Sequence, residues 1–184
     1  SDCIIYNLDK MSYASDLQSI KHILNNLGND KFPRHNLLKV DLANSLDVDE
    51  SIKFADPDII LHLAAESHVD RSIEGPKAFI ESNIVGTFNL LESARKHYTN
   101  LNSKRKEQFR FLHISTDEVF GSLGEKGSFN ELTRYDPRSP YSASKASSDH
   151  LVNAWHHTYG LPILMTNCSN NSVSYTHLTL PTNA

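Results

Sequence analysis

The amino-acid sequence predicts an α/β protein built on a doubly wound parallel sheet. Short apolar runs alternate with longer helix-patterned segments along most of the chain. Several of the runs are apolar nearly throughout, as strands covered on both faces are. Each run is followed at once by small or polar residues, the place where such sheets collect ligands.

The first run is Cys3–Leu8 (CIIYNL), closing on Asp9 and Lys10, and Tyr13–Leu27 then reads as a helix. Asn36–Val40 (NLLKV) is the second strand, with Asp41 and Leu42 at its end, and Leu46–Phe54 the next helix. Asp58–Leu63 (DIILHL) is the third strand and leads into Ala64–Ser67. Pro76–Tyr98 is helical: Gly75-Pro76 opens it, and Phe79, Asn83, Gly86, Thr87, Leu90, Leu91 and Ala94 keep three-and-four spacing. The fourth strand, Phe109–Ser115 (FRFLHIS), runs into Thr116, Asp117 and Glu118. Pro140–Tyr159 is the last helix, opened by Ser139-Pro140, and Pro162–Asn167 (PILMTN) the last strand, leading to Cys168–Asn171.

Composition narrows the function. With 184 residues and a net charge of -4, no basic face for nucleic acid is expected. The run Lys104-Arg105-Lys106 reads as a solvated loop. The two cysteines, Cys3 and Cys168, give neither a disulfide framework nor a zinc spacing, so no metal site is expected. His62 and His113 lie within apolar runs and read as core histidines. No apolar run is long enough to span a bilayer and no leader pattern stands at Ser1, so a soluble cytoplasmic protein is expected.

A dinucleotide-binding domain opens with a strand and a Gly-rich turn that cradles the pyrophosphate. Nothing before Cys3 supplies them, and the first visible strand already ends in an acidic residue, as the second strand of such a domain does. Val173–Thr182 (VSYTHLTLPT) reads as an in-frame translation of a transposon-derived sequencing adapter. Residues 1–171 are therefore read as a partial NAD-binding domain and 172–184 as a non-native tail in which Tyr175 and His177 have no role.

Chemistry concentrates in four places. Tyr141 and Lys145 stand four residues apart on a predicted helix, so they share a face. The same spacing at Tyr6 and Lys10 falls on a strand, where the groups cannot meet. An ammonium about 4 Å from a phenolate is worth on the order of 4 kcal/mol at an effective dielectric of 20. That would lower a tyrosine by up to roughly three pKa units, enough for it to act as a base near neutrality. Thr116, Asp117 and Glu118 follow a core strand, and paired carboxyl groups there can eliminate water, one taking a carbon-bound proton and the other protonating the departing hydroxyl. Ala64 and Ala65 let a cofactor approach the backbone, or simply pack against a helix. Asp9 at a strand end suits a ribose diol and repels a 2′-phosphate, favouring NAD.

Taken together, NLDKMSYA, LHLAAESHVDRSI, ESNIVGTFNLLE, HISTDEVFG, SPYSASKASSDHLV and TNCSNN resemble the dTDP-glucose 4,6-dehydratases, a branch of the extended short-chain dehydrogenase/reductases with a Rossmann-like fold. The resemblance covers about Ile4 to Asn171. It implies an internal redox cycle in which Tyr141, assisted by Lys145, deprotonates the glucose 4-hydroxyl while hydride passes from C4 to NAD. Thr116 would bond that oxygen, Glu118 would remove the C5 proton, and Asp117 would protonate the leaving 6-hydroxyl. Hydride returning to C6 would complete dTDP-4-dehydro-6-deoxyglucose. The resemblance places Asp9, Lys10, Asp41, Leu42, Ala64, Ala65, Ser82, Tyr141, Lys145 and Asn171 around NAD, and Ser67, Thr116 and Asn170 around substrate. It also implies a homodimer through the helices Pro76–Tyr98 and Pro140–Tyr159. Without a first strand, the strands ending at Asp9 and Leu63 would lack a shared neighbour, and the chain by itself is expected to be inactive. A nucleotide-sugar 4-epimerase, another nucleotide-sugar dehydratase and a non-catalytic remnant of the fold are the competing readings.

Overall fold

The computed structural model describes residues 3–12, 15, 18, 21, 35–123 and 127–169. Among the described residues, five strands and six α-helices follow one another as β1 (Ile5–Asp9), β2 (His35–Lys39), α1 (Ser45–Ala55), β3 (Ile59–His62), α2 (Val69–Glu74), α3 (Pro76–Phe79), α4 (Gly86–Asn100), α5 (Ser103–Gln108), β4 (Arg110–Thr116), α6 (Pro140–Tyr159) and β5 (Ile163–Cys168). A π-helical turn, Ile80–Val85, joins α3 to α4, and a 3₁₀ turn, Asp117–Phe120, follows β4. Most of the helix expected at Tyr13–Leu27 lies outside the described residues.

All strand pairs are parallel, in two sheets ordered β1-β2 and β3-β4-β5. β1 runs beside β2 from Ile5 opposite His35 to Asp9 opposite Lys39. β3 runs beside β4 from Ile59 opposite Arg110 to His62 opposite His113, and β4 beside β5 from Phe111 opposite Ile163. Among the described residues no ladder joins the two sheets, so β1 and β3 each keep one unpaired edge, as expected of strands that lack a common neighbour.

Helices α4 and α6 cover one face of the three-stranded sheet. Ile60, Phe111, Leu90, Leu91, Ala94, Phe109, Val152 and Leu161 are buried there, together with Val48 and Ile52 of α1. On the opposite face β3 departs from the expectation of a strand covered on both sides. Ile59, Leu61 and Leu63 are 58%, 59% and 64% exposed, while Ile60 and His62, alternating with them, are buried. A strand presents successive side chains to opposite faces, so one-sided cover produces this alternation.

Helix α6 begins where its sequence says it should. Ser139 accepts from the Ser142 amide while Ser142 Oγ accepts from the Ser139 amide, Pro140 occupies the first turn, and Gly160 closes the helix at φ 68°. The Lys104–Lys106 run, expected as loop, instead lies within α5. Asn102 caps that helix, and Arg105 bonds Asp58 at 2.7 Å and Asp56 at 2.8 Å. Gly86 is required by close approach: a Cβ there would sit 2.9 Å from the Cβ of Leu42, in the loop after β2.

His62 and His113 are core residues, as expected, facing each other at 5.2 Å between ring centroids. His62 bonds Thr87 Oγ1 at 2.8 Å, and the Nδ1 atoms of both rings have no hydrogen-bond partner among the described residues. Burial holds both rings below the ordinary histidine value, His62 far below it, so both stay neutral in the fold. The unfolded chain therefore binds more protons below about pH 6.5, and each ring costs about 1.4 kcal/mol of stability for every further unit of acidification until the folded ring itself titrates. The denaturant midpoint should fall between pH 7 and pH 5, and a His62→Gln variant should flatten that dependence.

Candidate active site

The carboxyl ends of β1, β2 and β3 meet around a cavity of about 330 Å³. Its walls include Asp9, Lys10, Asp41, Leu42, Ala64, Ala65 and Ser82. These residues, separated by up to 73 positions in sequence, were expected around one dinucleotide, and the fold brings them to one place. Asp9 shapes the turn beside it: its Oδ1 accepts from the Met11 amide at 2.6 Å and from Ser15 Oγ at 2.8 Å. Met11 takes the left-handed φ of 58° that this turn imposes. Lys10 reaches across the mouth to Glu66, 2.8 Å away at the end of the other sheet. Asp41 Oδ1 accepts from the Ala43 amide at 2.9 Å. Tyr6 and Lys10 do not meet; Tyr6 packs edge-on against Phe54 instead.

A second cavity, of about 290 Å³, adjoins the first through the shared residues Leu63 and Ala65. Ser67, Thr116, Glu118, Tyr141, Lys145 and Cys168 line it. Tyr141 and Lys145 come from the first two turns of α6 and are buried, 8% and 4% exposed. Lys145 Nζ donates to the carbonyl of Ile114, in β4, at 2.8 Å.

The protonation of Tyr141 departs from the sequence expectation. Its phenol is raised, not lowered: burial contributes most, then the negative charge of Glu118, with Asp117 and Asp149 adding to it and a hydroxyl bond from Thr116 opposing. Lys145 is itself lowered by burial, against the pull of Asp149. The desolvation of the phenol and the carboxylates facing it outweigh the nearby ammonium.

Thr116 caps the 3₁₀ turn by accepting from the Glu118 amide at 3.2 Å. In such a turn successive side chains diverge by about 120°. Glu118 consequently lines the second cavity, whereas Asp117 is not among its walls and receives the Thr116 hydroxyl at 3.4 Å. Burial and the neighbouring Asp117 charge raise Glu118 above the usual carboxylate range, which strengthens it as a base. Asn170 and Asn171 lie outside the described residues.

One residue that braces the site was placed by its sequence on a helix stripe and given no role there. Asn83, in the π-helical turn, bonds the Glu66 amide at 2.8 Å and its carbonyl at 2.9 Å, and donates to Ser144 Oγ at 2.8 Å. Its own carbonyl accepts from Ser148 Oγ at 2.6 Å. It thus ties the loop between the two cavities to α6. The signal was an amide placed on the apolar stripe of a helix, which must find partners when buried. Among the described residues, no three His, Cys, Asp or Glu side chains cluster as metal ligands, and no helix is long and apolar enough to cross a membrane.

Comparison with known proteins agrees with this geometry. The chain is 52% identical over 171 residues to a dTDP-glucose 4,6-dehydratase of Xanthomonas campestris, covering 93% of this chain and 47% of that one. It is 51% identical over 180 residues to the enzyme of that name from Escherichia coli, covering 93% and 48%. A crystal structure of a dTDP-glucose 4,6-dehydratase double mutant from Streptomyces venezuelae, with NAD bound, is 34% identical and superposes with a TM-score of 0.80 over 98% of this chain and 51% of that chain. The chain therefore spans about half the length of these relatives. The family model for GDP-mannose 4,6 dehydratase matches residues 2–184, and the chain belongs to that family.

Proposed function

We propose that this chain is the central catalytic segment of an NAD-dependent dTDP-glucose 4,6-dehydratase, a hydro-lyase acting on a nucleotide sugar to give dTDP-4-dehydro-6-deoxyglucose and water. The observation that carries the reading is the adjacency of the two cavities. The one lined by Asp9, Asp41, Ala64 and Ala65 shares Leu63 and Ala65 with the one lined by Thr116, Glu118, Tyr141 and Lys145. A dinucleotide fits that arrangement: carboxylates stand at strand ends for ribose hydroxyls, and small alanines let it approach the backbone. Residues 1–171 are, in this reading, the part that holds it.

When bound, NAD supplies the acceptor for hydride leaving C4 and the donor for hydride returning to C6. The protein's own groups do the rest. Lys145, fixed on the Ile114 carbonyl, stabilises the phenolate form of Tyr141, and that phenolate takes the proton of the 4-hydroxyl and becomes a phenol. Thr116 bonds the same sugar oxygen, and Ser67 and Asn170 orient the sugar. The 4-ketone acidifies C5; Glu118, with its raised proton affinity, takes the C5 proton and gives a proton back to C5 as hydride returns to C6, while Asp117 protonates the departing 6-hydroxyl. The homodimer reading is supported by Ile80, Val85, Phe88 and Tyr159, which are 46%, 40%, 43% and 50% exposed along the π-helical turn, α4 and α6.

An epimerase would use Tyr141 and Lys145 without an acid-base pair at 117 and 118, which distinguishes the two readings. Incubating the full-length protein that carries this chain with dTDP-glucose and NAD should give the 6-deoxy-4-keto sugar. Formation of dTDP-galactose would make it an epimerase, and no reaction with any nucleotide sugar would leave the remnant reading. The 184-residue chain tested alongside should give no turnover, because the open edges of β1 and β3 leave the first cavity without a firm wall.

A further inference from the structure

We propose that Asp149 is a positioning residue, the buried counter-charge and clamp that holds Lys145 against β4; the inference rests on the catalytic reading of Lys145 given above. Tyr141, Lys145 and Asp149 follow one another at intervals of four on α6, so they share a face. Asp149 is completely buried, and a carboxylate in that position must be satisfied on every side. It is satisfied by three donors. His113 Nε2 donates to Oδ1 at 2.9 Å, and Ser115 Oγ and the Tyr135 hydroxyl donate to Oδ2 at 2.8 and 2.9 Å.

The arrangement of those donors is the core of the argument. His113 and Ser115 flank Ile114, whose carbonyl receives the Lys145 ammonium. Asp149 therefore grips β4 on both sides of the one backbone oxygen to which Lys145 donates, and the next strand residue, Thr116, lines the second cavity. The charge arrangement is consistent with this. Burial, with Lys145 adding to it, holds His113 below its ordinary value against the pull of Asp149, so it stays neutral and does not cancel the carboxylate. The charged and titratable groups facing the pair are His62 and His113 from the sheet, Tyr135 from the preceding loop with His150 against its ring, Tyr141 on α6, and Glu118 and Asp117 beyond β4. Among them Lys145 is the cation, and Asp149 opposes the burial that would neutralise it.

The test is Asp149→Asn, with Asp149→Glu as the charge-retaining control, in the full-length protein. Two readouts are taken: the pH profile of kcat/KM for dTDP-glucose, and the titration of the Lys145 side chain by NMR with isotope-labelled lysine and no substrate. In Asp149→Asn the alkaline limb and the Lys145 titration should both move to lower pH by about one unit, with kcat near neutrality falling about 10-fold. Asp149→Glu should keep the limb near its native position. Coincident Lys145 titrations in Asp149→Asn and the native protein would overturn the proposal. If the native protein does not turn over dTDP-glucose, the functional reading is what has failed, and the substrate-free titration still decides the role of Asp149. Should Asp149→Asn not fold, Tyr135→Phe removes one donor at the rim of the network. It should lower kcat about 3- to 10-fold at unchanged KM, and an unchanged kcat would overturn the clamp.

Discussion

Tyr141→Phe, introduced into the full-length protein, is expected to lower kcat for dTDP-glucose by about 10³-fold while KM changes by less than about threefold. The substitution removes one oxygen from a side chain that is already buried, whose ring packs edge-on against Phe79 at 6.3 Å, so the fold keeps its shape. What is lost is the group that takes the 4-hydroxyl proton, and no other phenol lines the second cavity. Single-turnover absorbance of reduced nicotinamide reads the first step directly. A native burst in Tyr141→Phe would show that another base performs the oxidation.

Glu118→Gln is expected to separate the two halves of the reaction. The 6-deoxy product should fall by about 10²- to 10⁴-fold, because the group that takes the C5 proton is gone. Oxidation at C4 should survive, so the reduced nicotinamide accumulates. The same change should move the acid limb of the oxidation step to lower pH. The Glu118 charge is the first influence after burial that holds the Tyr141 proton on, and removing it lets the phenol ionise more readily. Solvent deuterium appearing at C5 at the native rate in this variant would assign the C5 proton to a different base.

The parts of this protein legible in its sequence are those fixed by local chemistry. Both ends of α6 coincide with expectation because Ser139, Pro140 and Gly160 terminate the helix within a few residues of themselves. The grouping of Asp9, Asp41, Ala64 and Ala65 around one cavity was legible because parallel strands place their carboxyl ends together, whatever the sequence between them. The π-helical turn at Ile80–Val85 was not, since the three-and-four apolar spacing of Phe79, Asn83, Gly86 and Leu90 reads the same with or without it. Helix α5 was missed because it has no apolar face, and its anchor is the contact of Arg105 with Asp56 and Asp58, some 50 residues away in the chain. The raised phenol of Tyr141 comes from burial and then from Glu118, which arrives from another element. Asp149 stands in plain view within SPYSASKASSDH, yet its importance comes from His113, Ser115 and Tyr135, none of them nearby in that motif.

The first cavity draws one wall from β1 and β2 and the other from the end of β3, two slabs that no rung of backbone hydrogen bonds connects among the described residues. Any molecule lodged there works as mortar as well as cargo. Its affinity and the angle between the slabs are coupled by linkage, so a change anywhere that loosens the slabs weakens occupancy, and occupancy in turn stiffens the seam.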